Sequence, residues 1–527
     1  MLPTAIAATV GVYLLALAIH AREVIDSMYA NADAAAAFVI AELMPHAAAG
    51  REVVLGDYNW VEAIWLLRGT AWLPSHFAVW QLLPFAVWGL TVVLVAGAVR
   101  LVSTWRAALL AGALVLCVGA DAREVFWTLN FHGLVVWHMA LLAFGLACLA
   151  ARPAWLTRPA AIVAAVVLGA VTAVGLQDQM LLVVGVAPLL IAGGAWTWRT
   201  GSTRPLLLTG IVAVVAVGLG VVLHQLTTDA GIIRDDRVFV FTPAVQLTNH
   251  LGLLPGALGE FVAGDSLGAP VDTFSVIALA GLVLAVTVVV LVAWRGWTLV
   301  RTIAREPRGA AAAVPAHVLL IFCAAVVAAT CAAWMLNGFL VDTAGSRYLG
   351  GLWIAAAAGL ALLADTALDR RRFDGVVAAV CLIATIGVLH GIEPTKVSNF
   401  PTPRAAAAVR SFAVQHGARI GYAGMWDAFP LTWHSRFAVT LTPIQNCGDP
   451  TDGNRNCPPP EHRISSWYHA QPGNPRSFLV VDSSQPLQPS VDPRFGKALA
   501  VTTYGPLTIL VYDHDIARDV RPPGTRT

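Results

Sequence analysis

Charged residues are scarce in this sequence: only 12% of its 527 residues are Asp, Glu, Lys or Arg, and lysine occurs only at Lys396 and Lys497. The net charge is +2, and the basic residues are spread between apolar runs rather than gathered into one stripe, which argues against nucleic-acid binding. The remainder is 57% hydrophobic, and the mean hydropathy is +0.71. These values indicate a polytopic membrane protein.

The apolar residues fall in runs that predict about eleven membrane-spanning helices. The predicted spans are 3–20, 77–99, 107–120, 125–150, 160–176, 180–197, 205–224, 273–294, 316–336, 349–364 and 375–391. Most arginines lie in alternate connections between these spans, which the positive-inside rule assigns to the cytoplasm. We therefore expect a multi-pass plasma-membrane protein with a cytoplasmic N-terminus and an extracytoplasmic C-terminal region.

The sequence after residue 391 has a different character, because polar residues and proline become frequent and the apolar runs shorten to strand length. Alternating strand and helix patterns predict a small extracytoplasmic α/β domain over 392–527, following a transmembrane domain over 1–391. The C-terminal region has neither a Gly-rich phosphate loop nor a convincing Ser/His/Asp spacing, which favours a scaffold or acceptor-docking role. Cys447 and Cys457 flank a polar loop, and we expect a disulfide between them rather than two free thiols.

Carboxylates are concentrated in the first long connection, residues 21–76. Asp33 begins the stretch "DAAAAFVIAELM", and Glu62 lies in "NWVEAIWLLRGTAW". Both stretches have the pattern of amphipathic helices, which we expect to lie along the membrane surface. Taken singly, Asp33 is explained by its favourable position at a helix N-terminus and Glu62 by solvation.

Taken together, these features resemble the first external loop of the GT-C class of membrane glycosyltransferases, in the bacterial branch related to the aminoarabinose and protein mannosyl transferases. Asp33 matches the acid that opens the loop in that branch, and Gly56, Tyr58 and Glu62 resemble its second motif. Ala34 departs from the pattern, since that branch commonly has Glu there, and an alanine cannot share a base or metal-ligand role.

Two further stretches resemble the same branch: "SRYLGGLW" at 346–353, and "GYAGMWDAFPLTWHSRFAVTLTP" at 421–443 in the soluble tail. The resemblance implies an enzyme that moves a sugar from a polyprenyl-phosphate carrier in the membrane to a glycan, lipid or protein acceptor on the extracytoplasmic side. It implies catalytic roles for Asp33, Asp57 and Glu62, with Arg347 and Tyr348 binding the donor phosphate. An ordinary arginine flanking the span explains Arg347 equally well.

The remaining polar residues on the outer side are assigned to the acceptor or its groove: Tyr58, Asp121, Arg123, Glu124, Asp178 and Arg234. Polar residues at the outer ends of spans, such as Asp178, usually serve the membrane interface, and a surface salt-bridge cluster is the plainer account of Arg234. No residue is assigned as a metal ligand, and a divalent cation, Mg²⁺ or Ca²⁺, held by the carboxylates is the weaker alternative. His132 and His138 are six residues apart on a predicted helix and do not share a face, so we interpret them as packing or groove residues.

Two other functions suit a protein with about eleven spans. A transporter or lipid flippase would usually have an internal repeat, broken spans or ionisable residues at mid-membrane depth. This sequence has no evident repeat, and its charged groups concentrate at the predicted outer face. A non-catalytic assembly protein of the cell envelope would tolerate replacement of Asp33, Glu62 and Arg347. These features favour a glycosyltransferase and leave both alternatives open.

Overall fold

The computed structural model describes residues 8, 11–12, 14–15, 18–19, 25–26, 32–44, 53–55, 60–74, 76–116, 118, 126, 128–129, 132–230, 232, 241–259, 261, 273–309, 314–338, 340, 347–367, 369, 371–375, 377, 403–447, 456–459, 462–469, 476–484 and 488–520. The chain forms two compact units. The helical unit comprises Met1–His20, Leu82–His224 and Arg237–Glu393, and the α/β unit comprises Ala21–Gln81, Gln225–Asp236 and Pro394–Thr527.

The helices are numbered here in chain order. They are α1 (Ala32–Leu43), α2 (Trp60–Thr70), α3 (His76–Val102), α4 (Trp105–Leu116), α5 (Gly133–Ala151), α6 (Pro159–Gly175), α7 (Leu182–Thr200), α8 (Arg204–Asp229), α9 (Leu247–Gly259), α10 (Thr273–Arg305), α11 (Pro315–Leu336), α12 (Gly350–Ala367), α13 (Pro403–Gln415) and α14 (Met425–His434). Short 3₁₀ turns occupy Pro153–Thr157, Ala244–Gln246, Ser465–Tyr468, Pro493–Phe495 and Ile516–Asp519.

The strands are numbered in the same way. They are β1 (Val53–Val54), β2 (Ile420–Ala423), β3 (Thr440–Pro443), β4 (Gln445–Asn446), β5 (Asn456–Cys457), β6 (Arg463–Ile464), β7 (Ser477–Asp482), β8 (Ala500–Tyr504) and β9 (Leu507–Tyr512).

The long helices confirm the predicted fold class, a polytopic helical membrane protein with a small C-terminal region that contains strands. Among the described residues, seven helices are long and apolar enough to cross a membrane, namely α3, α5, α7, α8, α10, α11 and α12, and α4 and α6 are shorter apolar helices. Each of these nine helices corresponds to one predicted span. The first and last predicted spans, 3–20 and 375–391, lie largely outside the described residues.

Helix α11 lies centrally in the helical unit, where it packs against α5, α7, α10 and α12. Small residues permit close contact between these helices. A Cβ at Gly296 of α10 would lie 2.0 Å from the Cβ of Ala324 in α11, and one at Gly359 of α12 would lie 2.7 Å from Val292 in α10. In a lipid environment such close packing supplies much of the attraction between helices.

The arginine-bearing connections meet at one end of the helical unit, which we call the arginine-rich end. The C-terminal end of α7 contacts the α10–α11 connection, since Trp198 Nε1 donates to the carbonyl of Glu306 at 3.2 Å and Arg199 lies 3.8 Å from the Glu306 carboxylate. Ser103, between α3 and α4, donates to Asp365 near the end of α12 at 2.6 Å. The connections α4–α5, α6–α7 and α11–α12 lie at the opposite ends of their helices. Which end faces the cytoplasm stays a prediction.

A five-stranded sheet in the order β3-β2-β7-β9-β8 forms the core of the α/β unit. Strands β3, β2 and β7 are parallel, whereas β9 is antiparallel to both β7 and β8. One face buries α13 and α14 through residues such as Val409, Leu431 and Val480. The other face is buried by an aromatic and aliphatic cluster that includes Tyr422 and Tyr512.

The first long connection is folded into the α/β unit. Helix α1 packs against α14, with the Phe38 and Trp433 ring centroids 5.0 Å apart, and Ala32 and residues 34–41 are at most 1% exposed. Strand β1 pairs antiparallel with β6, and Leu55 donates a backbone hydrogen bond to Ile232 at 2.8 Å. This differs from the expectation that α1 lies on a membrane surface: its alanines let α14 approach closely, so protein covers its apolar face.

The region around the cysteines forms a small antiparallel ladder between β4 and β5. Cys447 and Cys457 are joined in a disulfide, with their Cα atoms 6.0 Å apart. The bridge therefore closes the polar loop that separates these two short strands.

Candidate functional site

A buried histidine–carboxylate pair lies among the connections opposite the arginine-rich end. Asp178 is in the turn between α6 and α7, where one carboxylate oxygen accepts a hydrogen bond from the backbone N–H of Met180 at 3.0 Å. The other oxygen is hydrogen bonded to Nδ1 of His132. Both residues are 5% exposed. A carboxylate on Nδ1 fixes the orientation of the imidazole and favours the tautomer protonated there, as in catalytic His–Asp pairs.

The backbone at His132 is in the left-handed region, with φ 67° and ψ 8°. His132 directly precedes α5, so this conformation turns the chain into the helix. The left-handed conformation costs a non-glycine residue about 1 kcal/mol, and such residues cluster at functional sites. The hydrogen bond to Asp178 holds the side chain of this strained residue in one orientation.

Tyr348 and Arg347 lie beside this pair at the start of α12. The Tyr348 ring centroid is 5.0 Å from that of His132, and the Arg347 guanidinium carbon is 5.3 Å from the centroid of the Tyr348 ring. Both Arg347 and Tyr348 are half-buried. An arginine in such a cation–π contact keeps planar N–H donors for a phosphate or carboxylate. We call His132, Asp178, Arg347 and Tyr348 the polar cluster.

Two further polar residues are close to this pair in the sequence: Gln177 directly precedes Asp178, and His138 follows His132 by six residues. Gln177 is 4% exposed, and its amide makes no hydrogen bond to any residue that the structure describes. His138, 1% exposed, packs so closely on Gly175 that a Cβ there would lie 2.3 Å from the imidazole Cδ2. A π-helical turn, Leu182–Val186, begins α7 just beyond Asp178, and such turns are frequent at functional sites.

The polar cluster combines groups with complementary chemistry. Arg347 supplies a permanent positive charge, Tyr348 a phenol that can donate a hydrogen bond, and His132 an imidazole whose orientation Asp178 fixes. This combination suits binding of a phosphate group and transfer of a proton within hydrogen-bonding reach.

The structure brings together three of the predicted site residues: Asp178 and Tyr348 both contact His132, and Arg347 lies against the Tyr348 ring. Asp33 and Glu62 belong to the α/β unit, where each lies half-buried in the first turn of its helix, α1 or α2. The other predicted site residues lie outside the described residues: Asp57, Tyr58, Asp121, Arg123, Glu124 and Arg234.

No metal centre is evident among the residues that the structure describes, since no three His, Cys, Asp or Glu side chains there are grouped to hold an ion. The predicted carboxylate set includes Asp57, which lies outside that part of the chain. Binding of Mg²⁺ or Ca²⁺ by the first connection therefore stays a prediction.

His132 is the member of the polar cluster that sequence reasoning assigned to packing or to the groove. It lies 46 residues before Asp178, and nothing in the local pattern links the two. Its position in the sequence could have identified His132 as a site residue, because an ionisable residue at the end of an apolar run in a membrane protein is a candidate functional residue.

No protein-family model matches the sequence, and no curated protein matches it either. Among solved structures, the chain is similar to the oligosaccharyltransferase of Archaeoglobus fulgidus, crystallised with a disulfide-tethered acceptor peptide that contains the NVT sequon. The TM-score is 0.38 and the sequence identity 13%, over 80% of this chain. The chain spans 60% of the length of that protein. A likeness of this size assigns neither a substrate nor a reaction to the chain.

Proposed function

We propose that the chain is a membrane glycosyltransferase of the GT-C class, which moves a sugar from a polyprenyl-phosphate carrier to a glycan, lipid or protein acceptor on the extracytoplasmic side. The observation that carries the proposal is the polar cluster, in which a guanidinium lies on a phenol ring beside a carboxylate-oriented imidazole. The family resemblance of the first connection and of residues 346–353 independently assigns Arg347 to the donor phosphate.

In the proposed reaction, the bond between the anomeric carbon and the carrier phosphate oxygen breaks, and a bond from that carbon to an acceptor oxygen forms. Arg347 stabilises the negative charge that grows on the departing phosphate, and the Tyr348 hydroxyl donates a hydrogen bond to it. The acceptor hydroxyl loses its proton to a general base.

Two groups are candidates for this base. The resemblance assigns it to Asp33, with Asp57 and Glu62 orienting the acceptor. The geometry supports His132 instead, because Asp178 would stabilise the imidazolium that forms when Nε2 takes the proton.

A transporter or lipid flippase is the second candidate function, because a buried His–Asp pair also suits proton-coupled transport. The pair lies at the ends of α5 and α6 rather than midway along them, which favours the transferase. A transferase of this class must bind the phosphate of its polyprenyl carrier, so binding of that phosphate is the property to test.

The first test is binding of the carrier phosphate to the purified full-length chain in detergent. A polyprenyl phosphate at about 100 times its Kd should stabilise the protein by about 2.7 kcal/mol, and the polyprenol of equal chain length should not. Arg347→Gln should abolish this stabilisation. Arg301→Gln, which changes an exposed arginine near the arginine-rich end, should leave it unchanged. Equal effects of the phosphate and the alcohol would contradict the proposal.

The second test separates the two candidate bases. With a polyprenyl-phosphate sugar as donor, His132→Gln and Asp178→Asn should lower the transfer rate by about 10²–10⁴-fold while leaving the phosphate-dependent stabilisation intact. If only Asp33→Asn lowers the rate, the base is Asp33. If the protein binds the phosphate but none of the three substitutions changes sugar transfer, the non-catalytic assembly protein is favoured instead.

A further inference from the structure

A pocket opens in the arginine-rich end of the helical unit, between α10, α11 and α12. Its volume is about 290 Å³. Its polar wall consists of Arg295, Thr298, Thr302, His317 and Thr366, and its apolar wall of Leu299, Ala316, Leu320, Leu362 and Leu363. The pocket is distinct from the polar cluster, because Tyr348 and Thr366 lie at opposite ends of the span Arg347–Thr366, about 27 Å apart along a helix.

The charge of this pocket is positive. Arg295 and His317 are its ionisable residues, and no carboxylate lines it within the part of the chain that the structure describes. The Arg295 guanidinium lies 5.2 Å from the ring centroid of Trp294, which limits its orientations, and His317 Nδ1 makes no hydrogen bond to any described residue. The threonine hydroxyls donate to backbone carbonyls of their own helices, for example Thr302 to Thr298 at 2.8 Å. Arg295 and His317 are therefore the donors that remain for an anion.

The surrounding surface places the pocket at the depth of lipid headgroups. Trp294 and Trp297 are exposed on α10 beside Arg295, and Trp198 is exposed near the C-terminal end of the neighbouring helix α7. Tryptophan is enriched at the membrane–water interface, where its ring is apolar and its N–H can meet water. A ligand that enters here comes from the boundary between headgroups and acyl chains.

We propose that this pocket binds an anionic phospholipid of the surrounding membrane. Arg295 and His317 bind the headgroup phosphate, and the leucines of α10, α11 and α12 pack against the first part of an acyl chain. Basic pockets between transmembrane helices are established sites for anionic headgroups. The four leucines in the wall favour a lipid over free phosphate, because an inorganic ion would leave this apolar surface uncovered. The bound lipid would join three helices and stabilise the helical unit.

The test is thermal unfolding of the full-length chain in detergent, titrated separately with phosphatidylglycerol, phosphatidylcholine and inorganic phosphate. The proposal predicts a saturable rise in Tm with phosphatidylglycerol and none with the other two. Arg295→Gln should weaken the apparent affinity about fivefold, the effect of about one arginine near an anionic headgroup. Arg305→Gln, an exposed arginine at the same end that does not line the pocket, should change it less than twofold.

A second variant tests the pocket by filling it. Thr302 is exposed, so Thr302→Trp should leave Tm without lipid unchanged while removing the response to phosphatidylglycerol. Equal responses to phosphatidylglycerol and phosphatidylcholine, or equal losses in Arg295→Gln and Arg305→Gln, would overturn the proposal. A response to inorganic phosphate alone would identify a simple anion site and overturn it as well. Arg295→Gln should keep the polyprenyl-phosphate response that Arg347→Gln loses, so the two proposals fail independently.

Discussion

Asp427 should make the stability of the α/β unit fall as the pH rises from about 4 to about 7. It lies in the first turn of α14, directly after β2, and is 0% exposed. Burial, and then the negative charge of Asp482 at the end of β7, raise the pKa of Asp427 from 3.8 to about 7, an effect that the Gln488 amide partly opposes. The favourable position of a carboxylate at a helix N-terminus is weaker than this desolvation.

The sign follows from proton binding in the two states. Between pH 4 and pH 7 the folded state holds a proton on Asp427 that the unfolded state has released, so raising the pH favours unfolding. The difference of about three pKa units between the folded and unfolded states contributes about 4 kcal/mol to the free energy of unfolding, and this contribution is fully lost above pH 7. Asp427→Asn keeps the shape of the side chain and removes the titration. The variant should therefore match the natural protein near pH 4 and exceed its stability by up to about 4 kcal/mol at pH 8.

Hydrogen exchange of the β2 and β7 amides in the full-length chain, corrected for the intrinsic pH dependence, measures this difference. The matched control is Asp492→Asn, a buried carboxylate of the same unit that receives hydrogen bonds from Arg494 Nε at 2.9 and 3.0 Å. The control should be destabilised at pH 8, opposite to Asp427→Asn. An Asp427→Asn effect of the same size at pH 4 and pH 8 would refute the reasoning.

Three further substitutions test other parts of the fold. Cys447→Ser should destabilise the α/β unit by about 3 kcal/mol, measured by denaturant unfolding, because the disulfide closes a short loop; a reductant should then affect only the natural protein. Gly175→Ala should lower the stability of the helical unit by about 1–3 kcal/mol, measured from the change in Tm, because the added Cβ would strike His138. Gly194→Ala should leave the stability unchanged, because no described atom lies within 4 Å of its added Cβ. Phe38→Ala should lower the free energy of unfolding of the α/β unit by about 3–5 kcal/mol, measured by hydrogen exchange of the α1 and α14 amides. A loss below about 1 kcal/mol would show that α1 is not part of this core.

Much of the helical unit was predictable because long apolar runs have few structural solutions in a membrane. Nine predicted spans correspond to helices, and the arginines that the sequence places in alternate connections lie in those connections or in the helix segments that adjoin them. The burial of α1 was not predictable, because its alanines and apolar residues suit a membrane surface and a protein core equally well. Its partner α14 lies almost 400 residues later.

The candidate site shows the same division. Arg347 and Tyr348 were selected by the family resemblance of residues 346–353, and Asp178 was selected as a polar residue at the end of a span; both are local information. The hydrogen bond between His132 and Asp178 depends on how α5 packs beside α6 and α7, and no local pattern contains that packing. The sequence therefore identifies polar residues at the ends of spans but does not identify which of them are in contact.

The α/β unit is assembled from three segments that are far apart in the chain, Ala21–Gln81, Gln225–Asp236 and Pro394–Thr527. During synthesis the first segment leaves the ribosome long before the last. Helix α1 and strand β1 are therefore made before α14 and β6, with which they pack and pair. Contacts of such long sequence separation form slowly, and the exposed apolar surface is prone to aggregation meanwhile. Because Pro394–Thr527 follows the helices of the helical unit in the chain, the α/β unit can complete its fold only after those helices have been synthesised.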